Sequence, residues 1–410
     1  MSQHVALTNG SYATTISAAG GGGSNLGELQ LTRWRQDLTT DADGWFLYLR
    51  DLDSGALWSA SHLPVRHPAD RCTTQMGADR AVIIREDADI VVRTDVVVAR
   101  NADLECRRYT ITNSGATPLR LQLTTYAEVA LATADADAGH PAFSKLFIQT
   151  AHVVALGAVV ASRRPRNPDE PAVHLIHALM VPQEMSGDAL ELETDRLRFI
   201  GRGRTTANPV ALDAGHTLSA TTGDVLDPVL ALRRVIELPA GATVRVYALL
   251  AAGYNRDALE SLIAGTSRDN ADTLFRHLGD LPDAEPVTFS PPPVFRPAPR
   301  VDASAPTTEP LQYFNGFGGF TAAGTEYVIR IDSRTDGLAW PPLPWANVVA
   351  SETAGFVATE AGPGFTWSGN SRLNRLTPWS NDPVSDPQGE AIYLRDDDRG
   401  DFWSPTPAPV

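Results

Sequence analysis

Sugars are held in proteins by flat aromatic faces set beside forked polar groups. The ring stacks on the C–H face of a pyranose, while Asp, Asn or Arg grips neighbouring hydroxyls in bidentate fashion. LTRWRQD (31–37) and GWFLYLRDLDSGALWS (44–59) concentrate that set in Trp34, Arg35, Asp37, Trp45, Tyr48 and Arg50. A second concentration holds Trp367, Asn370, Arg372, Trp379, Asn381, Asp382, Tyr393 and Arg395. From these, Trp34, Arg35, Asp37, Tyr48, Arg50, Trp367, Asn370, Arg372, Trp379, Asn381 and Asp382 are the carbohydrate-binding candidates. Half of any strand faces a core, so each tryptophan has a second reading as framework. On that reading Arg50 pairs with Asp51 or Asp53 inside a packed hairpin.

Other chemistry is hard to find. There is no GxSxG or HExxH, and His174 and His177 in AVHLIHALM fall on opposite faces of a strand, which is wrong for a shared metal. Asp396, Asp397 and Asp398 read as a solvated turn, and the glycines of LQYFNGFGGF (311–320) as a β-turn, since no helix or lysine follows to make a phosphate loop. Cys72 and Cys106 lack ligand spacing and read as free thiols. No catalytic residue, metal or cofactor is expected.

Most of the two aromatic concentrations lies in a segment that the chain repeats. At an offset of 345, residues 32–65 match 377–410 without a gap, with 15 identities in 34 positions. Trp34 meets Trp379, Tyr48 meets Tyr393, Arg50 meets Arg395 and Trp58 meets Trp403. Solenoid and propeller units repeat every 20–50 residues or so, so this spacing indicates duplication of a whole domain. The second copy reaches only the equivalent of Val65, and the chain reads as a fragment or a truncated frame.

The elements that must position these groups are mostly strands. AVIIR (81–85), IVVRTDVVV (90–98), CRRYTIT (106–112) and LRLQLTT (119–125) are β-branched or alternating. The last two flank NSGATP and predict a hairpin, as do 230–238 and 243–250 around PAGA. The predicted fold is mainly β: a large antiparallel sandwich over 1–254, a helical segment over 255–281 opening at Asn255, a Pro-rich linker over 282–310 and an incomplete second sandwich over 311–410.

A net charge of −15 without a basic stripe argues against nucleic acid. No apolar run is long enough to cross a bilayer, and the N-terminus has no secretory pattern. The expected location is the cytoplasm, with a parent protein at the inner membrane.

LTRWRQD, YLRDLDSGALWS, TTYAEVAL (124–131), HPAFSKLF (140–147) and SRRPR (162–166) resemble the sandwich module of cyclic β-1,2-glucan synthases. LTPWSNDPVSDPQGE (376–390) resembles the module that opens their phosphorylase region, glycoside hydrolase family 94, formerly glycosyltransferase family 36. The resemblance implies a supersandwich that buttresses an (α/α)6 barrel, where an aspartate protonates the glycosidic oxygen and phosphate attacks the anomeric carbon. No position here matches that aspartate. The function implied is a non-catalytic sandwich supporting or contacting a β-glucan oligosaccharide, with the barrel or a second subunit as partner. A free-standing carbohydrate-binding module is the alternative, and an enzyme with an unrecognised site the third.

Overall fold

The computed structural model describes residues 4–35, 41–185, 189–266, 268–276, 278–283, 285–286, 289, 309–334 and 337–408. The chain divides into two compact units, Met1–Ser290 and Pro291–Val410.

The first unit opens with β1 (His4–Thr8), β2 (Tyr12–Ser17), β3 (Gly22–Leu26), β4 (Leu29–Thr32), β5 (Phe46–Asp51) and β6 (Leu57–Ser59). There follow β7 (Arg71–Met76), β8 (Ala81–Asp87), β9 (Ile90–Val98), β10 (Leu104–Asn113) and β11 (Leu119–Thr133), then short helices α1 (Ala134–Gly139) and α2 (Pro141–Lys145). Next come β12 (Ile148–Val153), β13 (Ala158–Arg163), β14 (Val173–Met180), β15 (Glu191–Asp195) and α3 (Arg196–Ile200). The unit ends with β16 (Gly223–Asp224), β17 (Pro228–Leu238), β18 (Thr243–Gly253), α4 (Arg256–Gly265), α5 (Arg268–Ala271) and β19 (Glu285–Pro286).

Among the described residues these strands make two antiparallel sheets. One has nine strands, β1-β2-β3-β4-β11-β17-β15 with β5 and β6 joined to it through β11. The other has ten, in the order β16-β12-β13-β14-β18-β10-β9-β8-β7-β19. The mainly β sandwich read from the sequence is what the chain forms.

Two predicted hairpins are not hairpins. β10 pairs with β9 and β18, whereas β11 pairs with β4, β5 and β17. The NSGATP loop therefore crosses from one sheet to the other, and PAGA makes the same crossing from β17 to β18. Two strands on facing sheets each have one inward face, so alternation on both sides of a loop cannot separate a hairpin from an arch. The crossings are tied together by Asn113, whose side-chain amide donates to the carbonyls of Thr117, Leu238 and Pro239.

The core lies between the sheets. Leu121, Leu123, Ala127 and Val129 of β11 and Leu230, Leu232 and Ile236 of β17 meet Val244, Val246, Ala248 and Leu250 of β18. The opposite face of β18 is buried as well, since Tyr247, Leu249 and Ala251 lie under Leu259 and Ile263 of α4. That double coverage explains why β18 ends in an unbroken apolar run. Helix α4 starts where Asn255 accepts a hydrogen bond from the Ala258 amide, 3.1 Å away.

The second unit contains β20 (Gly318–Phe320), β21 (Tyr327–Ile329), β22 (Ser333–Arg334), β23 (Gly337–Leu338), β24 (Asn347–Ala350), β25 (Ala354–Thr359), β26 (Gly362–Ser368), β27 (Leu394–Arg395) and β28 (Phe402–Trp403). Of the three glycines read as a turn, Gly316 lies in the bend before β20, where Asn315 accepts from the Phe317 and Gly318 amides, whereas Gly318 and Gly319 belong to β20 itself.

The duplication extends to hydrogen-bond register. Leu394 faces Trp403 and Arg395 faces Phe402, as Leu49 faces Trp58 and Arg50 faces Leu57. Upstream, Asn347 faces Ala358 as Val5 faces Ile16, and Ala354 faces Ser368 as Tyr12 faces Leu26. The upstream strands repeat at an offset of 342 rather than 345. The three extra residues fall in the turn 369–374, which replaces the tight turn at Gly27-Glu28.

His174 and His177 take opposite faces of β14, as predicted. His174 bonds Ser162, whereas His177 is fully buried between the sheets. Its Nδ1 lies 2.9 Å from the Leu249 carbonyl, which can only accept, so the neutral ring keeps its proton there and Nε2 accepts from Thr125. Burial lowers its pKa to about 4; the Leu249 bond opposes this and Arg107 adds to it. An unfolded histidine takes up its proton near pH 6.5, so the unfolded chain binds more protons between that pH and about 4. Stability therefore falls as pH drops through this window, by about 3 kcal/mol from this residue. Urea denaturation at about pH 7 and about pH 4.5 should show that loss in the native chain and a smaller one in His177→Gln; equal losses would show that His177 is not responsible.

Candidate functional site

Three of the sequence motifs converge inside the first unit. Arg33 of LTRWRQD follows β4, Glu128 of TTYAEVAL lies on β11, Asp137 lies on α1, and Lys145 of HPAFSKLF closes α2. Arg33 makes a bidentate pair with Asp137 at 2.8 and 2.9 Å and reaches Glu128 with its third nitrogen at 2.9 Å. Glu128 also accepts from Arg196 at 2.7 Å and from the Tyr126 hydroxyl at 3.1 Å. Asp227, just before β17, accepts from Lys145 at 2.7 Å and from Arg196 at 3.3 Å. None of the six charged residues is more than 7% exposed.

Local structure sets each charge in place. Asp195 caps α3 by accepting from the Leu197 amide, which turns Arg196 inward. Pro141 begins α2, and Arg163 holds that turn through the Ser144 carbonyl at 3.0 Å. Lys145 is thereby buried, while Phe143 and Leu146 of the same turn face solvent. Three carboxylates and three cations leave the cluster neutral. Burial alone would raise the Glu128 pKa, but Arg196, Arg33 and Lys145 outweigh it and hold the carboxyl well below the usual range. Such a group stays ionised, whereas a general acid needs a raised pKa.

The sugar-contact candidates fall into different surroundings. Trp34 is half-buried, with its Cβ against Gly23, where an added Cβ would come within 2.6 Å. Arg35 is bound to Asp43 by two bonds of 2.9 Å. Tyr48 is fully buried and donates to the Thr206 carbonyl at 2.7 Å. Arg50 reaches the Leu212 carbonyl rather than Asp51 or Asp53. Asp37 lies outside the described residues.

In the second unit, Trp367 is buried against Phe365, and Trp379 stacks on the same ring at 4.8 Å and 15°. Trp379 is 40% exposed, with the Arg375 guanidinium 5.5 Å from its centre. Asn370 shapes the enlarged turn by accepting from the Arg372 and Leu373 amides at 2.9 Å, and the Arg372 side chain is exposed. Asn381 sits at φ +48°, and Asp382 accepts from the Val384 and Ser385 amides. The structure thus brings Trp367 and Trp379 together through Phe365.

Sequence reasoning missed an open cleft of about 770 Å³ in the first unit. Its walls include Asp103, Leu131, Arg163, Arg166, Glu170 and Tyr254, and none of the ten described candidates lines it. Leu131 is buried at φ +47°, beside the break in the β4–β11 ladder between Val129 and Ala132. Arg163 of SRRPR is buried and its Arg166 lies 4.8 Å over the Phe147 ring. The available signal was the pairing of that arginine run with the aromatics of HPAFSKLF.

Cys72 and Cys106 are both buried and unpaired, and burial raises the Cys72 thiol to about 11. Among the described residues no three His, Cys, Asp or Glu side chains are placed to hold a metal, and no helix is long and apolar enough to cross a membrane.

The chain matches the family described as "Glycosyl hydrolase 94, supersandwich domain" over residues 2–269 and 325–410. It is 27% identical to the cyclic beta-(1,2)-glucan synthase NdvB of Rhizobium meliloti (strain 1021), covering 98% of this chain and 20% of that protein. That aligned span is 580 residues, so the synthase carries stretches with no counterpart here. An N,N'-diacetylchitobiose phosphorylase of Vibrio proteolyticus is 34% identical over 94 residues, 23% of this chain and 11% of the phosphorylase. A bacterial glucoamylase complexed with acarbose superposes with a TM-score of 0.38 and 8% identity over 67% of this chain and 36% of its own.

Removing one member of the buried cluster leaves its partners charged and unpaired. Arg33→Met should cost about 3–5 kcal/mol of stability, against less than about 1 kcal/mol for the exposed Arg395→Met. Urea midpoints of the two variants test this; similar midpoints would show that the cluster carries no such weight.

Proposed function

The chain belongs to the glycosyl hydrolase 94 supersandwich domain family, and on that footing we propose that it is a non-catalytic sandwich portion of a β-1,2-glucan synthase or family 94 phosphorylase, which braces a catalytic barrel and touches glucan. The observation that carries the reading is the state of the converging acids. Glu128, Asp137 and Asp227 are all tied to cations, and Glu128 is held far below the range in which it could hand a proton to a leaving oxygen. Six interlocked charges, each no more than 7% exposed, suit a rigid support.

Glucan contact is assigned to two accessible places. The first-unit cleft has the size of a small-ligand site and offers the half-exposed Tyr254 ring beside Arg166 and Glu170. The second is the Trp379 face, backed by Phe365 and flanked by Arg375, with Asn370 and Arg372 on the enlarged turn nearby in sequence. This face favours a carbohydrate-binding module as the second reading. Trp34, Arg35, Tyr48 and Arg50 serve on either reading as framework around the β5 hairpin. Two unpaired thiols suit a reducing cytoplasm.

Incubating the chain with β-1,2-glucooligosaccharides and inorganic phosphate should release no sugar phosphate. Turnover abolished by a single substitution would overturn the non-catalytic reading. Calorimetry with the same glucans should show weak, saturable heat that Tyr254→Ala or Trp379→Ala lowers about tenfold, or about 1.4 kcal/mol. No heat at millimolar glucan would leave the support role without sugar contact.

A further inference from the structure

Among the described residues, Arg33, Arg85, Arg107, Arg163, Arg196 and Arg233 are each no more than 6% exposed. All but Arg163 have a carboxylate oxygen within 3.4 Å. Arg163 forms no ion pair among the described residues. Its Nη1 donates to the Ser144 carbonyl and hydroxyl at 3.0 and 3.4 Å, and Nε and Nη2 have no partner there. The contrast extends to ionisation. Burial alone would lower the Arg33 pKa, but Asp137 and Glu128 outweigh it and raise it. Burial lowers that of Arg163, Arg166 lowers it further, and Glu170 and Asp137 do not make up the difference. Buried charges in native folds are ordinarily paired, so one without a counter-ion calls for an explanation.

Arg163 lines the cleft of about 770 Å³, and so does Arg166, which likewise forms no ion pair among the described residues. The two guanidinium carbons lie 5.4 and 4.8 Å from the centre of one ring, that of Phe147. The cleft is an open mouth between the two sheets of the first unit. Arg163 faces Val173 across β13 and β14, and the β14–β18 register that sets His174 against Gly253 brings Val173 level with Tyr254. One strand further, Asp103 adjoins β10 and its carbonyl accepts from the Ala252 amide at 3.0 Å. Along the ten-stranded sheet the mouth therefore runs from arginine to aromatic ring to carboxylate, over three strand spacings or about 14 Å. The acids present do not neutralise the arginines. Glu170 accepts from the Arg166 backbone amide at 2.8 Å, Asp103 accepts from the Ser11 hydroxyl, and the exposed Glu28 stands on the β3–β4 turn of the other sheet.

We propose, on the reading above that this cleft takes sugar, that its ligand is an anionic saccharide, a short sugar bearing one phosphate or carboxylate group. The free side of the Arg163 fork and the Arg166 guanidinium hold the oxyanion, since the planar fork bonds phosphate and carboxylate alike. The sugar ring stacks on Tyr254, and Asp103 accepts from hydroxyls at the far end. A neutral glucan fills the ring and hydroxyl positions and leaves the Arg163 charge unmatched.

Calorimetry on the full chain at low salt tests this, with glucose 6-phosphate, glucuronate, glucose and inorganic phosphate as probes. One or both anionic sugars should bind at least tenfold more tightly than glucose, the tighter one naming the anion, and added salt should erode the preference. Arg166→Gln, at an exposed position, and Arg163→Lys, which keeps the charge and loses the fork, should each cut the preference at least threefold. Tyr254→Ala should weaken glucose and the anionic sugars together. Equal affinity for glucose and both anionic sugars would overturn the proposal, as would a preference that survives both arginine substitutions. Inorganic phosphate binding as tightly as glucose 6-phosphate would overturn it too, leaving a bare anion site. Neutral β-1,2-glucooligosaccharides that bind through Tyr254 while the anionic sugars gain nothing over glucose would sink this proposal alone. Anionic sugars that bind where neutral glucans do not would support it and remove the glucan contact instead.

Discussion

A buried carboxylate shared by two arginines holds the first unit together. Glu128 lies on the longest strand, and through Arg33 and Arg196 it joins the end of β4, the α1–α2 turn, the start of α3 and the approach to β17. These are the places where the chain leaves the ladder, so hydrogen bonds between strands cannot fix them. Ionic pairing does so where sheet pairing ends. The arrangement tolerates burial because opposite charges are equal in number and most of their hydrogen-bonding positions are used. Asp227 Oδ1 is the exception, buried without a partner.

Much of this fold was legible in the sequence, and the parts that were not share a cause. Alternation found β9 and placed β8, β10 and β11, because each has one face toward a core. The same alternation made arches look like hairpins, since facing sheets impose the same inward period on strands that never pair. His174 and His177 were placed on opposite faces correctly, because that follows from strand geometry alone. Partner choice does not follow from geometry of that kind, and the bonds that tie the two crossings together, from Asn113 to carbonyls more than a hundred residues away, are long-range.

The candidate site was less legible, for an electrostatic reason. Aromatic and polar residues in one segment suggest a sugar face, but Tyr48 is fully buried despite standing in such a segment. What decides is the neighbouring strand, which lies 70 or more residues away along the chain. The acids that do converge are spread over residues 128–227 and are recognisable only once the cations that neutralise them are in place.

The enlarged turn at 369–374 is a natural record of tolerance. Three residues were accommodated between β26 and the segment that follows, and cross-strand partners on both sides kept their places. A loop that has already absorbed length without disturbing its flanks is a sound place to graft a fluorophore tag or an epitope. Because Trp379 lies a few residues downstream, a label seated there would give the second unit an optical reporter without touching either strand of its terminal hairpin.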